Sequence, residues 1–313
     1  LLTNFHTASV CSPTRSMLLS GTDNHLAGQG NMAEAMADNQ KGKPGYEGYL
    51  NFRIASLPSL LKDANYRTYM AGKWHLGLEQ ETSPYARGFD RSFALLDGGA
   101  GHFTDLGIDI DKKTASYRED NELVSLPEDF YSTRSYTDKL IEYISSGQDD
   151  DQPFFAYLAY TAPHWPLQAP TASIEKYKGK YDAGYDVIHA HRIKRMQEKG
   201  LIPANVDIAP RLPGESAWED LSNDQKKYEA RMMEIYAAMV DDIDVNIGRL
   251  LKYLQDINER DNTLIVFMSD NGAEAAPLDD WPVFGDWMKE CCDNSYDNMG
   301  KADSYLFYGQ NWG

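Results

Sequence analysis

Residues 224–272 carry the sequence DQKKYEARMMEIYAAMVDDIDVNIGRLLKYLQDINERDNTLIVFMSDNG, which indicates the fold class more clearly than any other stretch. Apolar side chains recur every three or four residues within Asp224–Asp256, and this spacing predicts an amphipathic helix. These positions are Met232, Tyr236, Met239, Val240, Ile243, Ile247, Leu250 and Leu254. The β-branched and apolar run Thr263–Met268 follows and predicts a buried strand. A helix that leads directly into a strand indicates βαβ units.

The same alternation occurs earlier in the chain. The predicted helices and strands are Ile54–Ala64, Tyr66–Ala71, Ser135–Ile144 and Phe154–Thr161. We therefore expect an α/β fold with a mostly parallel sheet sandwiched by helices. The stretches from Asp97 to Asp129 and from Pro277 to the end show no period, and we expect them to form loops.

The composition describes a folded globular protein. Of the 313 residues, 42% are apolar and 25% are charged, which excludes disorder and coiled-coil arrays as descriptions of the whole chain. Thirty basic and 48 acidic residues give a net charge of −18. Nucleic acids and anionic membranes are therefore not expected as partners, since phosphate contacts need clustered Lys and Arg. No apolar run approaches the length of a membrane span.

The cysteine content argues against a disulfide-stabilised protein. Only Cys11, Cys291 and Cys292 are present, and an adjacent pair suits a bridge poorly. The sequence also contains no Asn-X-Ser/Thr acceptor for N-glycosylation. A soluble protein in a reducing compartment is therefore favoured, although the compartment itself is not predicted.

Polar clusters follow three of the predicted strands. They are Gly72-Lys73-Trp74-His75, Ala162-Pro163-His164-Trp165 and Ser269-Asp270-Asn271-Gly272. Ligands bind beyond the carboxyl ends of the strands in sheets of this type, so we expect these clusters to meet. Each has an ordinary alternative, namely a solvated lysine, a loop histidine and a turn. Together they predict a site for an oxyanion ester.

A fourth cluster begins a predicted helix near the start of the chain. Pro13 suits the first turn of that helix, and Gly21 suits its end. Cys11 would then lie at the helix N-terminus, where backbone N–H groups favour an anion. Arg15, one turn further on, can reach the same place. The alternative is a small buried cysteine at the start of an ordinary helix.

The residues Cys11-Ser12-Pro13-Thr14-Arg15 resemble the signature C-x-P-[S/T]-R of the type I, formylglycine-dependent sulfatases. Three further segments resemble that family in the same order: Ala71–Gly77 (AGKWHLG), Ala162–Pro166 (APHWP) and Ser269–Glu274 (SDNGAE). The resemblance covers nearly the whole chain, is nearest to bacterial arylsulfatases, and implies the alkaline phosphatase superfamily fold.

This resemblance implies that a maturation enzyme oxidises Cys11 to Cα-formylglycine. The hydrated aldehyde has two hydroxyls; one attacks sulfur, and deprotonation of the other releases sulfate and restores the aldehyde. Arg15 would hold the hydrate, and His75 would be the general base for release.

The remaining roles are also implied by the resemblance. Lys73 and His164 would bind the sulfate oxygens, and His164 would help to protonate the leaving oxygen. Asp270 would accept the proton of the nucleophile. Cys11, Asp270 and Asn271 would ligate a single Ca²⁺ ion, which prefers hard oxygen ligands. No set of residues with zinc spacing stands near them in the sequence.

The chain also departs from the family pattern. Two further Asp ligands for the metal are expected upstream of Leu1, and the second sulfate-binding lysine of the family is not equated with Lys301. A smaller C-terminal domain is expected to be absent. Residues 1–313 are therefore predicted to be a fragment of the N-terminal catalytic domain, lacking its first strand and its C-terminal end.

The function that these residues predict is hydrolysis of a sulfate monoester of a small molecule, of the arylsulfatase type. A phosphate or phosphonate ester hydrolase of the same superfamily is the first alternative, and a non-catalytic sulfate-ester binder is the second. The sequence does not predict which ester is used, nor the oligomeric state.

Overall fold

The computed structural model describes residues 2–109, 112–147, 152–208, 215–272, 274, 282–309 and 312. The chain forms two compact units. The first comprises Leu1–His6, Trp165–Asp241 and Ala273–Gly313; the second comprises Thr7–His164 and Asp242–Gly272. Every residue predicted to act in the site belongs to the second unit.

The second unit is built on a mixed sheet. Its strands are β1 (Arg67–Lys73), β2 (Arg91–Leu95), β5 (Tyr117–Glu119), β6 (Glu122–Leu123) and β7 (Phe154–Ala159), in the order β6-β5-β2-β1-β7. β1 lies parallel to both β2 and β7, whereas β5 and β6 extend the sheet in antiparallel fashion. A separate antiparallel pair contains β3 (Leu106–Asp109) and β4 (Lys112–Thr114). The predicted α/β class with parallel strands is therefore confirmed.

The helices flank this sheet or form the first unit. They are α1 (Cys11–Leu18), α2 (Leu57–Asp63), α3 (Ser132–Ser146), α4 (Thr171–Glu175), α5 (Tyr185–Glu198), α6 (Asn223–Asp256) and α7 (Pro282–Cys291). None of these described helices has both the length and the apolar composition needed to cross a membrane. The long helix predicted over Asp224–Asp256 is confirmed as α6, of which residues 223–241 belong to the first unit and residues 242–256 to the second.

Both faces of the sheet are buried. Successive side chains of β1 point to opposite sides, and each side packs in its own core cluster. Tyr69 packs in a cluster with Tyr136 and Leu140 of α3. Met70 packs on the other face with Leu19, which follows α1, and with Leu50. Burial on both faces explains why the middle of β1, Tyr69–Ala71, is continuously apolar and does not alternate with polar residues.

Gly72 in β1 allows the close approach of β7. Its φ is 119°, and a Cβ at this position would overlap the carbonyl oxygen of Ala159 in β7. Only glycine adopts this backbone conformation without strain. Gly72, which directly follows the predicted strand Tyr66–Ala71, thus sets the spacing between β1 and β7 just before Lys73.

Four expectations were wrong. Thr263–Met268 forms no strand, because no described segment pairs with it; Leu264 is 90% exposed and Phe267 is 78% exposed. The stretch from Asp97 to Asp129 contains β3 to β6, which are too short to show a period. Cys291 and Cys292 form a disulfide despite their adjacency. From Pro277 onward, residues 277–281 lie outside the described residues, and α7 follows where a loop was expected.

Candidate active site

Cys11 is the first residue of α1, as predicted. Its thiol is buried, with 8% of the residue exposed, and it is not disulfide-bonded. Val10 precedes the helix without a side-chain cap on the first turn. The backbone N–H groups of that turn therefore add positive potential at Cys11.

Lys73 and His75 reach the same place from the carboxyl end of β1. Lys73 is the last residue of β1 and is 2% exposed, while His75 is 8% exposed. Between them, Trp74 points away into the opposite core cluster, where its Nε1 donates to the backbone carbonyl of Thr82 at 2.9 Å. The alternation predicted across Trp74 is thus present in the structure.

The guanidinium of Arg15 joins three parts of the unit. Its Nε donates to Asp270 Oδ2 at 2.7 Å, and its Nη1 donates to the Lys73 carbonyl at 2.7 Å and to the Tyr157 hydroxyl at 3.4 Å. Arg15 is buried, so this charged pair is held in a low-dielectric setting. It places the end of segment 263–272 beside α1 and the end of β1.

The electrostatics of Cys11 show that the site favours an anion. Burial raises the pKa of the thiol, but Lys73 and an interaction with His75 outweigh burial and lower the pKa from 9.0 to about 7. Asp270 acts in the opposite direction. Burial in turn lowers the pKa of Lys73, and the nearby Cys11 opposes that shift. An anion at position 11 and the Lys73 ammonium therefore stabilise each other.

His164 belongs to the same group of side chains. Burial raises the pKa of Asp270, but Arg15, Lys73 and His164 together lower it below its usual range. The ring of His164 also faces Gly99, where a Cβ would lie 3.4 Å from its Nδ1. The structure thus brings together all six residues predicted to be catalytic.

His102 positions the backbone of His164, and sequence reasoning missed it. It is fully buried, which lowers its pKa to about 4, so the ring is neutral at pH 7. Its Nε2 lies 2.9 Å from the His164 carbonyl, which only accepts, and its Nδ1 lies 2.7 Å from Ser132 Oγ. Nε2 therefore donates to His164, and Ser132 donates to Nδ1. The residue lies in a stretch without periodicity, so no sequence signal identified it.

Glu34 and Tyr157 were also missed. Glu34 Oε1 lies 2.9 Å from His75 Nε2, and Tyr157 on β7 contacts Arg15. Neither residue belongs to one of the recognised motifs. Both contacts join segments far apart in the sequence, so only the folded chain shows them.

The oxygens of Asp270 and Asn271 suit a hard cation. Asn271 Nδ2 donates to the Gly272 carbonyl at 2.9 Å, whereas Oδ1 is buried and makes no hydrogen bond with any described residue. A buried amide oxygen without a donor is a suitable Ca²⁺ ligand. In the described part of the chain, no group of three or more His, Cys, Asp and Glu side chains could hold a metal ion. Asp270 and Asn271 alone could supply only part of a calcium ligand set.

Two known proteins are similar to this chain in sequence over almost its whole length. The chain is 48% identical over 323 residues to an uncharacterized sulfatase of Schizosaccharomyces pombe, covering 99% of this chain and 58% of the relative. It is 40% identical over 314 residues to an arylsulfatase of Klebsiella aerogenes, covering 99% of this chain and 66% of the relative. The chain thus spans less than two thirds of the length of these two relatives.

Solved structures are similar in fold as well. The crystal structure of Ps i-CgsB has a TM-score of 0.58 and 26% sequence identity, covering 86% of this chain and 49% of that chain. The sequence model of the Sulfatase family matches residues 1–305. The chain therefore belongs to the sulfatase family.

Proposed function

We propose that the intact protein hydrolyses sulfate monoesters of small molecules, giving an alcohol or phenol and sulfate, by the arylsulfatase type of reaction. The observation that carries this proposal is the cationic surrounding of Cys11, which lowers the pKa of a buried thiol to about 7. A site that stabilises an anion at this position also suits the negative charge of a sulfate ester. The arylsulfatase of Klebsiella aerogenes, 40% identical, supports this substrate class.

Residue 11 supplies the nucleophile after a formylglycine-generating enzyme has oxidised its thiol. The free thiol of Cys11 and its place at the start of α1 suit this modification. The hydrated aldehyde supplies one hydroxyl that attacks sulfur and a second whose deprotonation releases sulfate. Arg15 holds this residue in place through its position one turn along α1.

The other side chains divide the remaining work. Lys73 offsets the negative charge of the sulfate, which is present in both the substrate and the transition state. His164 binds a sulfate oxygen and protonates the leaving oxygen, and Asp270 accepts the proton of the attacking hydroxyl. His75 acts later, when it takes the proton of the second hydroxyl.

Asp270 and Asn271 would hold Ca²⁺ together with residue 11. The unpartnered Oδ1 of Asn271 supports this assignment, because it is an oxygen ligand without another described role. When bound, the ion offsets sulfate charge and lowers the pKa of a coordinated hydroxyl. The remaining ligands would be two further carboxylates of the intact protein.

The test is hydrolysis of 4-nitrophenyl sulfate by the intact protein, produced together with a formylglycine-generating enzyme. We expect turnover by the wild-type protein and none by Cys11→Ala. Leu18→Ala is the matched control, because Leu18 lies on the same helix and is 39% exposed. It should leave the rate unchanged.

Two outcomes would overturn the proposal. Preferential hydrolysis of 4-nitrophenyl phosphate or a phenylphosphonate ester would assign the phosphate or phosphonate ester reaction. Tight binding of the sulfate ester without turnover, in protein shown to carry formylglycine, would assign a non-catalytic binder.

A further inference from the structure

Glu34 contacts the catalytic histidine from a part of the chain outside the family motifs. It lies in the 3-10 turn Ala33–Ala35, and its Oε1 is 2.9 Å from His75 Nε2. Asn31 secures this turn, because its Nδ2 donates to the Ala35 carbonyl at 2.8 Å. The contact joins residues 41 positions apart, so it depends on the fold and not on local sequence.

The contact fixes which ring nitrogen of His75 carries the proton. Burial raises the pKa of Glu34, but the hydrogen bond and charge interaction with His75 lower it to about 2, so Glu34 is a carboxylate at neutral pH. A carboxylate only accepts hydrogen bonds, and Nε2 must therefore donate. In neutral His75 the lone pair is then on Nδ1.

Nδ1 is the ring nitrogen that remains for the catalytic position, because Nε2 is bound to Glu34. It is buried and makes no hydrogen bond of ordinary geometry with any described residue. The His75 side chain also interacts with the Cys11 thiol, so the ring lies beside residue 11. Nε2 is thus occupied by its hydrogen bond to Glu34, whereas Nδ1 is available to residue 11.

The backbone around the pair leaves little room for another arrangement. A Cβ on Gly98 would lie 2.9 Å from both Glu34 Oε1 and His75 Nε2, closer than Cβ atoms approach. His75 itself has a φ of 59°, a left-handed conformation that is uncommon for a residue with a side chain. Its backbone N–H donates to the Leu96 carbonyl at 3.2 Å, which helps to hold this conformation.

We propose that Glu34 is the positioning residue for His75 in sulfate release, holding the Nε2–H tautomer so that Nδ1 receives the proton from residue 11. This inference rests on the proposed function. The proton passes from the remaining hydroxyl of residue 11 to Nδ1, and the O–H electron pair forms the C=O bond. The C–O bond to the sulfate group breaks, and sulfate leaves with the electron pair of that C–O bond. His75 later gives the proton to water.

The first experiment reads the tautomer directly. Long-range ¹H–¹⁵N spectra of the matured protein distinguish Nε2–H from Nδ1–H, and the His75→Ala variant identifies which histidine signal belongs to His75. We expect Nε2–H in the wild type and a mixture of tautomers in Glu34→Ala. Asp38→Ala is the matched control, because Asp38 is a nearby acid whose side chain is 98% exposed. Nδ1–H in the wild type, or an unchanged tautomer in Glu34→Ala, would overturn the proposal.

The second experiment reads the chemical step. Loss of the hydrogen-bond partner of a metal-bound histidine lowers activity about 10–100-fold, and we expect a fall in kcat on the same scale for His75 in Glu34→Ala. Because release and not sulfur transfer is slowed, Glu34→Ala should show a burst of 4-nitrophenol, with sulfate retained on the residue-11 peptide. Since Glu34 is 40% exposed, added formate should partly restore the rate, whereas chloride at equal ionic strength should not.

The outcomes separate this inference from the proposed function. If Glu34→Ala loses the burst, or if its kcat equals that of the wild type, Glu34 does not act through sulfate release. If the wild-type protein hydrolyses no sulfate ester, the proposed function fails and the release role fails with it, while the tautomer spectra still decide whether Glu34 fixes His75.

Discussion

Replacing Lys73 by Met in the unmatured protein should raise the pKa of the Cys11 thiol. Lys73 is the largest influence that lowers this pKa, ahead of His75, and together they overcome burial to bring it from 9.0 to about 7. One pKa unit corresponds to about 1.4 kcal/mol, so the shift is worth roughly 3 kcal/mol in favour of the thiolate. Met fills the space of this 2% exposed side chain without its charge.

The change should be large enough to measure by pH-dependent alkylation. At pH 7 a thiol with a pKa of about 7 is about half ionised, and a rise of one unit leaves about a tenth as thiolate. Iodoacetamide is a suitable reagent, because Cys291 and Cys292 form a disulfide and Cys11 is free. The rate at pH 7 should therefore fall at least about fivefold in Lys73→Met.

Lys139→Met is the matched control for this measurement. This substitution removes the same charge from the second unit, but the Lys139 side chain pairs with Glu119 and not with a residue of the site. An unchanged Cys11 pKa in Lys73→Met would refute the proposed electrostatics. An equal shift in both variants would show that net charge, and not the Lys73 contact, sets the pKa.

The remaining predictions concern kinetics, folding and metal content. Lys73→Ala should raise KM and lower kcat, since Lys73 offsets sulfate charge in both the substrate and the transition state. His75→Ala should give one fast turnover and then stall, because general-base catalysis is worth about 10²–10⁴-fold. A slow His75→Ala reaction without a burst would contradict the role of His75 in release. Gly72→Ala should lower the free energy of unfolding in urea by more than about 3 kcal/mol, because the new Cβ would overlap the β7 backbone. Gly21→Ala, with open space around a φ of 62°, should lower it by only about 1 kcal/mol. Equal losses in the two variants would show that the close approach of β1 and β7 at Gly72 is unimportant. Chelation should abolish hydrolysis and Ca²⁺ should restore it, with one Ca²⁺ per intact protein by metal analysis; two zinc ions per protein would contradict the assignment of Asp270 and Asn271.

The sequence predicted those parts of the fold that carry either an apolar run, as in a buried strand, or apolar residues at helical spacing. β1, β7, α3 and α6 were all predicted, because burial of a sheet face or a helix stripe leaves a repeating apolar pattern. The segment Thr263–Met268 has the composition of a strand, but composition does not supply a hydrogen-bonding neighbour. β5 and β6 have three and two residues, too few for any period to be visible.

The candidate site was predictable to the extent that it follows the strands. Lys73 ends β1 and His164 follows β7, and the parallel pairing of these two strands brings such positions together. Asp270 was expected on the same ground, but Thr263–Met268 forms no strand, and the ion pair with Arg15 holds Asp270 in the site instead. Glu34 and His102 lie in irregular segments, and their roles depend on contacts with histidines 41 and 62 positions away. Only the folded backbone makes those contacts, so no local pattern marks these two residues.

The most direct test of the central claim is the mass of the tryptic peptide ending at Arg15, taken from intact protein produced with a formylglycine-generating enzyme. We expect a peptide lighter than the cysteine form, since one oxygen replaces the sulfur and two hydrogens are lost, and we expect it to react with a hydrazide. A peptide that keeps the mass of unmodified Cys11, from protein that nevertheless hydrolyses 4-nitrophenyl sulfate at full rate, would contradict the account.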